Sequence, residues 1–190
     1  DPLANSIKEI QPSFVVDARL LKQNVKYISK LAKIVIGLGP GFVVGENCYA
    51  VIETQRGHNL GRAYYTNGSR ASADTGVPEQ VNGVGNRRVL RSPCEGKLHH
   101  TASIGDRVIA GDRIAVVGDD EIIVEVDGVL RGLIHNGLYV SKNEKIADVD
   151  PRNIVDYCYT ISDKALAIGG GVLETILYGT QLDVFGSVDQ

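Results

Sequence analysis

No methionine and no tryptophan occur in this sequence of 190 residues, cysteine appears only three times, and the longest uncharged run reaches only from Ile34 to Gly45. Each shortage excludes something. That run contains four glycines and a proline and falls short of the roughly 18 apolar residues a membrane helix requires, so no membrane segment is expected. Cys48, Cys94 and Cys158 are odd in number and widely spaced, with no C-x-x-C pair. This argues against a disulfide framework and a structural zinc site, and predicts a reducing, cytoplasmic setting. An excess of basic residues is also missing. The 20 Lys and Arg are interspersed among 23 Asp and Glu, which leaves no stripe to neutralise phosphates in series and no nucleic-acid partner. The opening "DPLANSIKEIQPS" has no basic start followed by an apolar stretch, as a secretion signal would. The absence of a methionine at position 1 predicts that the numbering does not begin where translation does.

What the sequence does contain is a repeat. Setting Gly96 against Gly128 aligns "EGKLHHTASIGDRVIAGDRIAVVG" without gaps on "DGVLRGLIHNGLYVSKNEKIADVD". The identical pairs are Gly96/Gly128, Leu98/Leu130, Gly105/Gly137, Val108/Val140, Ile114/Ile146, Ala115/Ala147 and Val117/Val149. Each copy reads as strand, glycine turn, strand, polar turn and an alternating strand ending in valine. One copy cannot cover its own apolar face, so two related by a pseudo-twofold are predicted to face each other as a small flattened barrel. The hairpin "VVGDDEIIVEVDG" is the seam between them. Two halves of this size resemble the barrel-sandwich hybrid of biotinyl and lipoyl carrier domains. That resemblance implies a modifiable lysine at the hairpin tip, but the tip here is Gly118-Asp119-Asp120-Glu121 and no lysine lies between Lys97 and Lys142. A carrier is therefore rejected in favour of a structural or docking module.

The flanks predict a mixed α+β fold in three parts: an α/β domain with a long connecting loop over 1–88, the barrel-sandwich domain over 89–150, and a helical segment over 151–190 that packs back on the α/β part. "SFVVDA" reads as a strand ending at Asp17, a short helix is expected to carry Leu20, Leu21 and Val25, and "KIVIGLGPGF" reads as a strand entering a glycine turn. If the two strands are parallel, Asp17 and the Gly37-Gly39-Gly41 turn share the carboxyl edge, where open α/β sheets bind ligands. The turn is not the dinucleotide fingerprint, because the third glycine of G-x-G-x-x-G would fall at Phe42. It is either a plain tight turn or a backbone cradle for a ligand.

"CYAVIETQRGHNLGR" gathers Glu53, Arg56, His58 and Arg62 around two glycines after an apolar strand. His58 would move protons, Arg56 and Arg62 would grip an anion by their forks, and Cys48 would act as a thiolate if a cation lowered its pKa. The alternative is a solvated loop and a core cysteine. Asn67 to Arg88, with "TGVP" inside it, reads as a long exposed connection, and His99, His100 and His135 read as surface histidines. In "YTISDKALAIGGGVLETILYG", Ser162 or Asp163 would cap a helix whose Val172, Leu173, Ile176 and Leu177 recur at helical spacing. Gly169-Gly170-Gly171 would either admit close packing or present free amides to an anion.

Taken in order, "VVDARLLKQN", "VIGLGPGF", "CYAVIETQRGHNLGR", "TGVP", "RVLRSPCEG", "VDGVLRGLI", "VDPR" and "ISDKALAIGGGVLETIL" resemble the selenium-dependent molybdenum hydroxylase system protein family, from about Asp17 to Leu177. The resemblance implies an accessory protein that helps mature a molybdenum hydroxylase client, with a molybdenum-pterin or a selenium species as its ligand. It adds Asp163, Lys164, Gly169 and Gly170 to Asp17, Gly39, Gly41, Glu53, Arg56 and Arg62 as ligand-binding candidates. A sulfur- or selenium-transfer enzyme using Cys48 with His58 is the alternative. Family members typically begin with a glycine-rich, Rossmann-like segment that has no counterpart before Asp17, so the chain is expected to match the carboxyl-terminal two thirds of such a protein.

Overall fold

Short runs of valine and isoleucine become strands in the computed structural model, which describes residues 4–23, 25, 31–77 and 80–185. The chain divides into two units: Asp1–Thr75 with Ser162–Gln190, and Gly76–Ile161. The class is mixed, with most of the regular structure in sheets. Among the described residues, no helix is long and apolar enough to cross a membrane.

The first unit holds a sheet in the order β1 (Phe14–Asp17), β2 (Ile34–Leu38), β3 (Ala50–Ile52) and β4 (Ala63–Tyr64). The first three strands are parallel, with Asp17 opposite Gly37, and Leu38 opposite Ile52; β4 returns antiparallel to β3. β2 is buried on both faces, as its unbroken apolar sequence requires. One face packs Val35, Phe42, Val44, Cys48, Val51 and Ala71 together. On the other, Ile34, Ile36, Leu38 and Ile52 meet Ile168, Val172 and Ile176. Those three side chains come from α2 (Asp163–Phe185), while α1 (Ser6–Ile10) is one short turn near the start. The short helix expected to carry Leu20, Leu21 and Val25 does not form at these three residues, and 24 and 26–30 lie outside the described residues. Pro78 of the "TGVP" motif also lies outside them.

The second unit is built from the repeat, and its strands show how far the duplication extends. They are β5 (Val89–Arg91), β6 (Gly96–His100), β7 (Arg107–Val108), β8 (Arg113–Val117), β9 (Asp120–Ile123), β10 (Gly128–Leu133), β11 (Tyr139–Val140) and β12 (Lys145–Asp150). They form two four-stranded sheets, β5-β12-β10-β7 and β11-β6-β8-β9, with no closed barrel among the described residues. The offset that sets Gly96 on Gly128 carries each of these pairings onto another. Lys145 opposite Arg91 and Ala147 opposite Leu90 become Arg113 opposite Ile123 and Ala115 opposite Ile122, and the β-bulge between the two pairs recurs. The repeat therefore begins at β5 and β9, upstream of the identical residues. Each sheet takes two strands from each copy, so neither copy can bury its apolar face alone.

The identities now have physical reasons. Leu98, Leu130, Val108, Val140, Ile114, Ile146, Ala115, Ala147, Val117 and Val149 are all buried in one core, where each full-sized side chain contributes roughly 1.5–3 kcal/mol. Gly105 and Gly137 both have positive φ, 99° and 82°, a conformation costly for residues with a Cβ. At the seam, β8 and β9 are joined by the tight turn Gly118-Asp119, with Gly118 at φ 59°. The unit extends past the repeat on both sides. Val81 and Val84 form a bridge, the Arg107 guanidinium donates to the Asn153 carbonyl, and the Tyr159 hydroxyl donates to the Ile104 carbonyl.

Candidate functional site

Three parallel strands end together, and their carboxyl edge is where most of the candidate residues lie. Asp17 closes β1, Gly39 and Gly41 follow β2, and Glu53 to Arg62 form the loop between β3 and β4. The structure brings these residues to one edge, but it occupies most of them internally.

Asp17 is 8% exposed and is gripped by its own neighbour: Arg19 Nε and Nη2 reach its two carboxylate oxygens at 3.0 and 2.6 Å, and the Arg19 amide donates to it as well. Burial pushes the Asp17 pKa up, but the Arg19 hydrogen bonds and charge together outweigh it and hold the group below the usual range. The same D-x-R clasp closes β12. There Asp150, 2% exposed, accepts from the amide, Nε and Nη2 of Arg152 and also from Arg131.

Glu53, a ligand candidate by sequence, is 2% exposed. One of its carboxylate oxygens accepts from the Thr54 and Gln55 amides and the other from the Ser72 amide and hydroxyl, all at 2.8 Å. Four donors fill the acceptor capacity of a carboxylate. Burial raises its pKa, but these bonds together hold it below the ordinary value, so it stays charged as an internal clasp between two loops. Ser72, its main tertiary partner, was not among the sequence candidates.

The glycine turn is a packing device rather than a cradle. A Cβ on Gly39 (φ 87°) would stand 3.0 Å from Thr54 Oγ1, and one on Gly41 would stand 2.5 and 2.8 Å from the Leu21 and Gln23 carbonyl oxygens. Asn47 ties the turn down: its side-chain oxygen accepts from the Val43 amide at 2.8 Å, and its amide donates to the Val25 and Gly41 carbonyls.

The GGG run resolves into two roles. α2 starts at Asp163, so the glycines lie within the helix and present no free amides at its start. A Cβ on Gly171 would stand 2.1 Å from the Gly61 carbonyl oxygen, whereas nothing lies within 4 Å of the corresponding position on Gly169 or Gly170. The residue that needs to be glycine for packing is Gly171, and the two candidates Gly169 and Gly170 face outward. Asp163 pairs with the Arg56 guanidinium through both of its oxygens, in a setting exposed enough that the pair contributes at most about 1 kcal/mol. His58 and Arg62 are exposed on the same loop, and Lys164 is half-buried.

Cys48 and His58 occupy opposite environments. The Cys48 side chain is packed in the core with Val35, Phe42 and Val51, and burial pushes its pKa up to about 12 despite backbone hydrogen bonds from Gly37 and Val43. A thiol this buried, with its pKa raised rather than lowered, lacks the activated-thiolate environment that sulfur or selenium transfer calls for. Among the described residues, no group of three or more His, Cys, Asp or Glu is arranged to hold a metal ion.

Comparison with known proteins adds a relative. The chain is 45% identical over 177 residues to a protein of Escherichia coli strain K12 described as uncharacterized protein YqeB. The match covers 93% of this chain and 32% of the relative, so the chain spans about a third of the length of the curated relative it matches. No family model matches. Among solved structures, a succinylglutamate desuccinylase/aspartoacylase of Rhodobacter sphaeroides aligns at TM-score 0.31 and 19% identity, over 34% of this chain and 22% of that one. The product-bound ectoine utilization protein EutE (DoeB) of Ruegeria pomeroyi aligns at TM-score 0.31 and 16% identity, over 44% and 27%.

Proposed function

We propose that this chain is part of an accessory factor for the maturation of a selenium-dependent molybdenum hydroxylase, and that it acts by docking the client enzyme. The pathway comes from the sequence resemblance. The mode of action rests on one observation: the buried carboxylates at the carboxyl edge, Asp17 and Glu53, are saturated by their own chain. What remains outward is a loop anchored through Glu53 that carries Arg56, His58 and Arg62, the kind of charged rim that steers a protein partner.

The glycine turn offers a molybdenum-pterin or a selenium species no backbone cradle at this edge. The space beside Gly39 and Gly41 that would let a backbone approach a ligand is filled by Thr54 and by the Leu21 and Gln23 carbonyls. The second unit we read as a barrel-sandwich hybrid. The repeat symmetry of its strand pairing supports this, and its tip, Gly118-Asp119, offers no amine to a biotinyl or lipoyl ligase. It serves as a docking module rather than a carrier.

The test is the client hydroxylase purified from a host lacking this protein. Full metal and selenium content with full activity would overturn the proposal. Returning the protein with Arg56, His58 and Arg62 each changed to Glu should fail to restore the client, while the wild type restores it. Equal restoration by both would remove the loop from the docking surface.

A further inference from the structure

α2 is apolar on both sides. Its inner side packs Ile168, Val172 and Ile176 on the sheet, yet Leu166, Leu173 and Leu177 on its outer side are 62%, 56% and 56% exposed. At 3.6 residues per turn, these leucines line up with Gly169, Gly170 and Thr180 in one stripe that contains no charge. An apolar stripe on a helix is normally covered by another element.

The stripe is self-complementary. Its central portion reads outward as Leu166, Gly169, Gly170, Leu173, with two inward residues separating each leucine from its nearer glycine. A twofold axis passing between Gly169 and Gly170 sets Leu166 of one helix against Leu173 of an antiparallel second helix, and glycine against glycine. With no Cβ at the crossing and nothing within 4 Å of either position, the two backbones can approach closely while the leucines interlock on each side. Charge agrees with this register. Glu174 and Asp163 lie on the same flank of the stripe, and the twofold brings the partner's Glu174 next to Asp163 and to the Arg56 guanidinium that pairs with it. An arginine thus meets a carboxylate at both ends of the contact. An interface in which the same patch serves both subunits is what a C2 dimer requires.

We propose that the outer face of α2 is a homodimer interface, formed by an antiparallel pair of α2 helices crossing at Gly169-Gly170. The occupant is a second copy of this chain, and the contact touches the client-docking loop only at Arg56, whose guanidinium pairs with Asp163.

Sedimentation equilibrium of the whole chain from micromolar to sub-millimolar concentration tests this against Gly170→Leu. The wild type should show a monomer–dimer equilibrium. Gly170→Leu should sediment as a monomer throughout, because its side chain holds the helices apart, while its circular dichroism stays native and its melting temperature does not fall. A second measurement fixes the geometry. With Cys94 and Cys158 replaced by Ser, a mixture of Leu166→Cys and Leu173→Cys chains should form an interchain disulfide under mild oxidation, and either chain alone should form far less. A wild type that is monomeric throughout, a dimer unaffected by Gly170→Leu, or cross-linking as efficient within each single variant as in the mixture would each overturn the proposal. A monomeric wild type would leave the stripe to another part of a longer protein or to a different partner.

Discussion

Gly170 and Gly171 are neighbours in one glycine run, and changing each to alanine should have opposite effects. At Gly170 a Cβ meets nothing within 4 Å, so alanine restores helix propensity in an exposed interior position and should stabilise by about 1 kcal/mol. At Gly171 the same methyl would stand 2.1 Å from the Gly61 carbonyl oxygen and 3.1 Å from Ile52 Cγ2. The carbonyl cannot rotate away as a side chain would. Gly61 is itself held at φ 80°, with its own Cβ direction 2.3 Å from the Ala167 carbonyl oxygen, so the loop has little room to slide. Forced overpacking of this kind costs about 1–3 kcal/mol, and the contact is against backbone, which places it in the upper half of that range. After the propensity gain, Gly171→Ala should lose about 1–2 kcal/mol, leaving the two variants about 2–3 kcal/mol apart. For a chain of this size that corresponds to roughly 4–12 °C in melting temperature. The assay is thermal and urea unfolding at protein concentrations dilute enough to disfavour association. It should be followed by far-UV circular dichroism and by the near-UV signal of Tyr49, Tyr65 and Tyr178, the Tyr65 ring contacting each of the other two in the first unit. If Gly171→Ala is as stable as Gly170→Ala, the close approach of α2 to the Gly61 loop is wrong.

Glu53→Gln replaces an acceptor that takes four hydrogen bonds with a side chain that can take only half of them, and should destabilise the first unit by about 2–3 kcal/mol in urea at pH 7. Because the folded pKa of Glu53 lies below its ordinary value of 4.5, its stabilisation is complete above about pH 4.5 and is lost as the pH falls through the folded value. The variant should therefore show a shallower acid loss of stability than the wild type; parallel curves would contradict the clasp. Cys48, with its thiol pushed up to about 12, should resist iodoacetamide at pH 8 in the folded chain while the partly exposed Cys94 and Cys158 are modified. Peptide mass spectrometry decides this, and Cys48 labelling at the rate of a free thiol would restore it as a nucleophile. Asp150→Asn weakens the clasp to Arg131 and Arg152 and should cost the second unit about 1–3 kcal/mol, read as a lower urea midpoint; an unchanged midpoint would show that the clasp is solvated.

The repeat was legible because its signal is local and periodic. The identical pairs mark core positions and obligatory turns, and one constant offset between the copies preserves strand register whatever the final arrangement. Its upstream strands β5 and β9 left no such trace, since "VLR" and "EII" share only an alternation that many exposed strands have. The D-x-R clasps were present as spacing at Asp17-x-Arg19 and Asp150-x-Arg152, but spacing alone does not say that the carboxylate is buried and the guanidinium folded back over it.

The candidate residues were found as a group at one sheet edge, but the surroundings of each were not legible. Sequence by itself determined the mixed composition of strands and helix, the duplicated unit, and the missing lysine at its hairpin tip, because alternation, glycine turns and residue identity are properties of short segments. Only the tertiary structure decided that Cys48 is core, that Ser72 saturates Glu53, and that Gly171 rather than Gly169 or Gly170 touches the Gly61 loop. Burial and hydrogen-bond satisfaction depend on which distant segment covers a residue, and no local pattern records that.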